Sequence, residues 1–455
     1  MSKEKLMQGG RAFVMGLAKS GEAVSRLLLK HGYEVVVNER RERGTDEAEA
    51  VALEQLGATV VFGGHPLSLL DPAPDFIVKN PGIPYSVEFL QEAIRRQIPI
   101  YTEIEVASWL IESPIYAITG SNGKTTTTTL VGEILSYAGQ NPIVAGNIGR
   151  ALSSVAEQVL PSQPIVLEVS SFQLLGTESF HPRIATLLNL YSAHLDYHGE
   201  FSDYVDAKWR MFRNLTGADT AVLNFDQELI RDRAGELNAS LAWFSTRGEV
   251  PVGAYVDDGN IVVKRDGNIV PVLSVVSLAQ KGEHNLENAL AATVICLWAG
   301  ASVEHVAHVL MSFRGVEHRL EYVRHLQGVD YYNDSKATNA QAALRALKSF
   351  PGNIVWIAGG LDRGDDFEEL RADVQERVKC AVVFGQSAES VVKMCERAQV
   401  KQIERMGNLQ EAVIAARRLA SEGDVVLLSP ACASWDMFTS FEERGRMFKQ
   451  LVHTL

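Results

Sequence analysis

Short apolar runs of strand length alternate with stretches of helical periodicity along almost the whole chain, the pattern of parallel strands covered by helices. Near the start, RAFVMGL (residues 11–17), EVVV (34–37) and DFIV (75–78) read as strands. Residues 21–31 read as a helix, and 94–104 carry a helix end and another short strand. A second series begins near Glu103, with strands PIYAIT (114–119), PIVLEV (164–169) and ATLLNL (185–190) and a helix over 125–138. Residues 251–275 differ: apolar alternation broken by two Asp-Gly pairs predicts a β-hairpin insertion. A third series follows Arg314-Gly315, with strands over 330–333, 353–358, 380–384 and 424–428.

Repeated βα units over 455 residues are too much for one core. Three α/β domains are expected, over residues 1–102, 103–315 and 316–455.

Composition narrows the class of partner. A net charge of -13 disfavours nucleic acid, whose binding relies on Lys and Arg displacing counterions. It leaves room for anionic small ligands held locally by backbone N–H groups. The four cysteines, Cys296, Cys380, Cys395 and Cys432, form no CxxC pair and read as reduced thiols. The first ten residues lack the apolar core of a signal peptide, and no apolar run reaches about 18 residues. A cytoplasmic protein without a membrane segment is expected.

The candidate chemistry starts at Ile118-Thr-Gly-Ser-Asn-Gly-Lys-Thr-Thr126, between a predicted strand and a predicted helix. Glycines there let successive N–H groups turn toward phosphate oxygens, and the helix start adds partial positive charge. Gly120, Asn122, Gly123, Lys124, Thr125 and Thr126 form this candidate mononucleotide loop, Lys124 reaching phosphate and Thr125 a Mg²⁺ ion. Ile118 stands where the usual loop has its first glycine. Glu168 ends an apolar strand, where a carboxylate of an open parallel sheet can hold a metal. His194 follows the next strand and offers an imidazole ligand. Lys208, in DYVDAKWRMF, reads from periodicity only as a helical lysine, a type that is usually solvated.

TGSNGKTTT, GNIG, LEVSSFQL, SAHLDYHG, DAKWRMF, GEHNLENALAA, GVEHRLE, NDSKATN and SPACASWDMF occur in this order along nearly the whole chain. Together they resemble the Mur ligases. Three features, GLAKSG–VVVNER–NPGI, NDSKATN and SPACASWDMFTSFEERG, are most similar to the D-glutamate-adding members. The fold this implies is Rossmann-like in the first and third domains, with a P-loop mononucleotide-binding sheet between them. The activity it implies is ATP-dependent addition of D-glutamate to UDP-N-acetylmuramoyl-L-alanine through an acyl phosphate, by a monomer. The resemblance also implies two Mg²⁺ sites, with Thr125, Glu168, His194 and a carbamylated Lys208 as ligands. Asn285, Arg319, Asp334 and Lys336 match residues lining ATP. Ala18, Lys19, Ser20, Asn38, Glu39, Arg40, Asn80, Gly82 and Asn147 match the side that holds the UDP-sugar. Thr338, Ser434 and Phe441 match the D-glutamate side, with Arg363 where some relatives carry a lysine.

Three other readings stay open on the residues. Another amide ligase of the superfamily, such as folylpolyglutamate synthase, would share most motifs. A nucleotide-sensing protein would need the loops and not the metal and carbamate set. The Gly16–Gly21 loop with Glu39 mimics a dinucleotide site, but GxxxxG replaces GxGxxG.

Overall fold

The near-continuous apolar runs pair as parallel strands, because helices cover both faces of each sheet and leave no solvated side to alternate toward. The computed structural model describes residues 9–44 and 47–455, without the side chain of Asp196. The leaderless reading of the N-terminus therefore falls outside the described residues. By contacts the chain divides into two compact units, Met1–Phe313 and Arg314–Leu455.

The first unit holds two sheets. In one, β1 (Gly10–Met15), β2 (Tyr33–Glu39), β3 (Thr59–Phe62), β4 (Phe76–Lys79) and β5 (Ile100–Tyr101) lie in the order β3-β2-β1-β4-β5. Strand order reverses between β1 and β4, so a crevice opens beyond their carboxyl ends. β3 was not expected from the sequence; it is a four-residue edge strand, only partly buried.

The other sheet contains β6 (Ile115–Thr119), β7 (Ile143–Gly146), β8 (Ile165–Glu168), β9 (Ile184–Leu187), β10 (Thr220–Asn224) and β11 (Ser240–Ser245). It continues through β12 (Gly253–Asp257), β13 (Asn260–Arg265) and β14 (Asn268–Ser274), in the order β14-β13-β12-β11-β10-β9-β6-β8-β7. Alternate residues of β6 feed two separate cores: Ile115 and Ala117 on one face, Tyr116 and Ile118 on the other. The predicted hairpin insertion is corrected here. Residues 253–274 make two hairpins, and β12 pairs in parallel with β11, so the segment extends the central sheet. Both Asp-Gly turns have positive φ at each residue, 42° and 72° at Asp258-Gly259 and 51° and 77° at Asp266-Gly267. That geometry matches the twist of the flanking strands.

The second unit is built on β15 (Glu321–Leu326), β16 (Val329–Asn333), β17 (Ile354–Ala358), β18 (Val378–Val383), β19 (Gln402–Arg405) and β20 (Val425–Leu428), in the order β15-β16-β20-β17-β18-β19. Only β15 runs antiparallel to its neighbour. All four cysteines are buried and unpaired. No helix among the described residues is long and apolar enough to cross a membrane.

Candidate functional site

β6 ends at Thr119, and the chain turns through Gly120–Gly123 into the helix Lys124–Tyr137. An α-helix leaves its first N–H groups without internal acceptors, and its dipole makes that end positive. Gly123 caps the helix at φ 80°, and a Cβ there would lie 2.2 Å from Asn288 Oδ1. Asn288 belongs to the helix Glu283–Trp298 and also accepts from the Thr127 hydroxyl at 3.2 Å. Gly123→Ala is therefore expected to deform the loop and weaken nucleotide binding, read by titration, about tenfold or more.

The loop is braced from the neighbouring strand. Asn189, just beyond β9, accepts from Ser121 N through its carbonyl at 2.9 Å and from Asn122 N through Oδ1 at 2.8 Å. Its own amide donates to Glu287 at 2.6 Å. Sequence reasoning missed Asn189 and Asn288; an Asn ending an apolar strand beside a phosphate loop was the available signal.

Two lysines converge on one carbonyl. Lys124 Nζ donates to Gly120 O at 2.8 Å and Ser121 O at 3.0 Å. Lys208 Nζ donates to the same Gly120 O at 2.9 Å and to Thr119 Oγ1 at 3.3 Å. Lys208 does not take the solvated place usual for a helical lysine: it is 1% exposed, its ammonium 4.7 Å above the Tyr204 ring. The helix Phe201–Trp209 turns this face inward, Tyr204 being held by its hydroxyl 2.9 Å from Ser121 Oγ. Burial, then the charge of Lys124, push the Lys208 amine well below its ordinary pKa, against the opposing pull of Glu168.

Glu168 ends β8, directly beside β6, and is 2% exposed. Its Oε1 accepts from Asn147 Nδ2 at 2.9 Å, while its buried Oε2 has no hydrogen-bond partner among the described residues. A half-satisfied buried carboxylate beside a phosphate loop is a fitting donor for a divalent cation. Thr125, buried in the first helical turn, and the Lys208 position complete the nearby candidate ligands. His194 is exposed, in the left-handed region at φ 57°, and caps the short helix Leu195–His198. Its ring meets Phe172 edge-on at 5.0 Å.

A cleft of about 590 Å³ opens at the β1/β4 crevice. Ala18, Glu39, Arg40, Asn80 and Gly82 line it, joined by His65, which sequence reasoning missed. Glu39 accepts from Leu17 N at 2.8 Å and so shapes the loop after β1. Lys19 and Ser20 begin the helix Lys19–Lys30 above it. Asn38 is fully buried, its amide donating to Val61 O at 3.1 Å and Gly64 O at 2.8 Å, so its side chain braces the wall. Elsewhere in this unit, Asn285 donates to Lys281 O at 2.8 Å, beside a hollow of about 350 Å³ lined by Lys281, Gly282 and Leu286.

In the second unit, Asp334 follows β16, nearly buried; it accepts from Ser429 Oγ at 2.8 Å and Leu320 N at 3.1 Å. Burial raises its carboxyl to about 6 despite those bonds. Because the folded value lies above the ordinary 3.8, this stabilising preference for the protonated form is lost as pH rises toward 6. Asp334→Asn is expected to raise unfolding stability well above pH 6, by on the order of 2–3 kcal/mol in denaturant titrations, and to leave it unchanged well below the ordinary 3.8. Lys336 N donates to His318 O at 3.0 Å, Arg319 is exposed, and Thr338 is half-buried. Phe441 opens the helix Phe441–Thr454 and accepts from Ser335 Oγ at 2.8 Å. Ser434 is buried, and its hydroxyl has no partner among the described residues. Arg363 is exposed and lies 5.2 Å over the Trp435 ring. Arg444, which sequence reasoning missed, is fully buried under these loops, donating to Ser335 Oγ at 3.0 Å, Ser335 O at 2.9 Å and Cys432 O at 3.1 Å.

Comparison with known proteins identifies the family. Residues 118–296 match the Mur ligase middle domain, and residues 318–432 match the Mur ligase, glutamate ligase domain. The UDP-N-acetylmuramoylalanine--D-glutamate ligase of Geobacillus kaustophilus (strain HTA426) is 46% identical over 456 residues, covering 100% of both chains. The enzyme of that name from Streptococcus pneumoniae serotype 19F (strain G54) is 45% identical, over 98% of this chain and 97% of its own. Among solved structures, MurF from Acinetobacter baumannii superposes with a TM-score of 0.55 at 17% identity, covering 98% of each chain. UDP-N-acetylmuramate-alanine ligase MurC from Thermotoga maritima gives 0.53 at 19% identity, over 98% of this chain and 99% of its own. The fold is shared at that distance, and the full-length identities near 45% carry the rest: the chain belongs to the Mur ligase family, among its D-glutamate ligases.

Proposed function

We propose that this protein joins D-glutamate to UDP-N-acetylmuramoyl-L-alanine at the expense of ATP, through an acyl phosphate, in cytoplasmic synthesis of peptidoglycan precursors. The observation that carries the reading is the convergence of Lys124, Lys208 and Glu168 on one phosphate loop. Residues 1–102 would hold the UDP-sugar, with Ala18, Glu39, Arg40, Asn80 and Gly82 at the cleft. Residues 103–315 would hold ATP, and residues 316–455 D-glutamate through Thr338, Ser434, Phe441 and Arg363. The protein would act as a monomer.

The parts support the chemistry in order. The loop N–H groups and Lys124 hold the triphosphate while the L-alanyl carboxylate attacks the γ-phosphorus in line, expelling ADP. The D-glutamate amine, in its neutral form, then attacks the acyl carbon, and the carbon–oxygen bond to phosphate breaks. Thr125, Glu168, His194 and a carbamylated Lys208 would hold two Mg²⁺ ions, which supply charge neutralisation between triphosphate and carboxylate. The depressed pKa of Lys208 favours the neutral amine that CO₂ requires, and a carbamate there would relieve its repulsion with Lys124.

Substrate labelled with ¹⁸O in the alanyl carboxylate tests this reading. One labelled oxygen is expected in the released phosphate, and a product heavier by one glutamyl residue. Unlabelled phosphate would rule out the acyl phosphate.

A further inference from the structure

Lys79, the last residue of β4, is 0% exposed, yet no carboxylate lies within ion-pair distance of it among the described residues. Its ammonium sits instead in a cage of oxygens. It donates to the carbonyls of Asn80 at 3.3 Å, Pro81 at 3.1 Å and Ile83 at 2.9 Å, and to the Tyr197 hydroxyl at 3.2 Å. The Tyr85 ring lies 4.8 Å away and the Tyr197 ring 5.9 Å. Three of these oxygens belong to one tight turn, residues 80–83, and that turn presents Asn80, Gly82 and Ile83 to the 590 Å³ cleft. The fourth belongs to the short helix Leu195–His198, which His194 caps. Tyr197 closes the cage by donating to Ile83 O at 3.0 Å. Behind it, Phe172 touches Tyr197 at 4.6 Å, His194 at 5.0 Å and His198 at 5.3 Å.

A buried cation without a counter-ion is costly, and an apolar side chain of the same length would fill the space without that cost. Desolvation alone brings this lysine down to about 7. The arrangement therefore asks for a role other than holding the core together. We infer that Lys79 is a positioning residue for the nucleotide-sugar: its ammonium gathers the 80–83 carbonyls into the shape the cleft needs and locks that turn to the segment carrying His194. The inference rests on the proposed function, in which this cleft takes an anionic diphosphate. A cation just behind the turn also favours an anion in front of it, and the carbonyls drawn inward are kept from facing that anion.

The sign of the pH dependence follows. Tyr85 and Tyr197 are both raised to about 12 by burial and stay neutral. Arg210, the charged group facing Tyr85, stays cationic, and His65 on the cleft wall is held below its ordinary value by burial. His198, on the helix that carries Tyr197, is the other titratable neighbour, 3.0 Å from Ser171 Oγ. Lys79, brought down to about 7 by burial, loses its charge as pH rises through neutrality, and affinity for the nucleotide-sugar should weaken on that side.

The test uses the full chain with Lys79→Met and Lys79→Arg, measuring KM for each substrate, kcat and the melting temperature. In Lys79→Met, KM for UDP-N-acetylmuramoyl-L-alanine is expected to rise about tenfold or more, as for loss of a charged hydrogen-bond donor. KM for ATP and D-glutamate should stay within about twofold, the melting temperature should hold, and the wild-type rise of KM above neutral pH should vanish. Lys79→Arg should keep more affinity than Lys79→Met. Equal KM in wild type and Lys79→Met, or all three KM values moving together with a fall in melting temperature, would overturn the inference. An inactive wild type would instead refute the functional reading beneath it.

Discussion

Replacing Lys124 with alanine is expected to abolish ligation, lowering kcat by about a thousandfold or more, as for loss of a preorganised group that meets charge developing in the transition state. The reason lies in where the ammonium sits. It is anchored on Gly120 O and Ser121 O, which keeps a full positive charge on the loop that would hold phosphate. Lys124→Arg should recover little, because a planar fork cannot take the place of a compact point charge in that turn. Steady-state ADP release with all substrates saturating reads the effect, and full activity in Lys124→Ala would remove the loop from the mechanism. The fold should survive, since Lys124 is only partly buried at the start of a well-packed helix.

The second large effect belongs to Lys208. Lys208→Ala is expected to be inactive, again by about a thousandfold or more, and to regain part of its activity when acetate is added. The rescue distinguishes two roles. If the amine itself were needed as a cation, a small carboxylate would not help. If the working group is a carbamate, a carboxylate entering the space left by the side chain restores the charge. The site favours the second role: Lys124 and Lys208 share Gly120 O, and both cannot keep a full positive charge there cheaply. An intact mass larger than the sequence mass by one CO₂, lost on acidification, is the corresponding physical signature. Absence of acetate rescue in a folded Lys208→Ala would contradict the carbamate.

Much of the architecture was legible because parallel strands buried on both faces leave continuous apolar runs. β6, β8 and β9 stood out in PIYAIT, PIVLEV and ATLLNL, and the loop after β6 carries its own glycine and lysine signature. Some strands that escaped notice are marginal, β3 lying on an edge and β19 partly exposed along its length, but β7, β10, β11 and β15 escaped as well, and β10 and β11 are largely buried inside the central sheet. The 251–275 segment shows a different limit. Its Asp-Gly turns are local chemistry and were readable, whereas the parallel pairing of β12 with β11 is a non-local fact. Lys208 and Lys79 show the same limit for the site. Each reads in sequence as an ordinary lysine, and its burial is decided by segments far away, Thr119–Gly120 for one and Tyr197 for the other. Arg444 is a third case, its partners Ser335 and Cys432 coming from other loops. Glu168 was legible because a carboxylate at the end of an apolar strand stands out, but its partnerless Oε2 was not.

The central claim is tested most directly by ADP release from MgATP with UDP-N-acetylmuramoyl-L-alanine and an amino acid, leaving out one component at a time. The account predicts release only when the muramoyl substrate and D-glutamate are both present, with L-glutamate inert. Release that proceeds without the muramoyl substrate, or that is supported by another amino acid and not by D-glutamate, would contradict it.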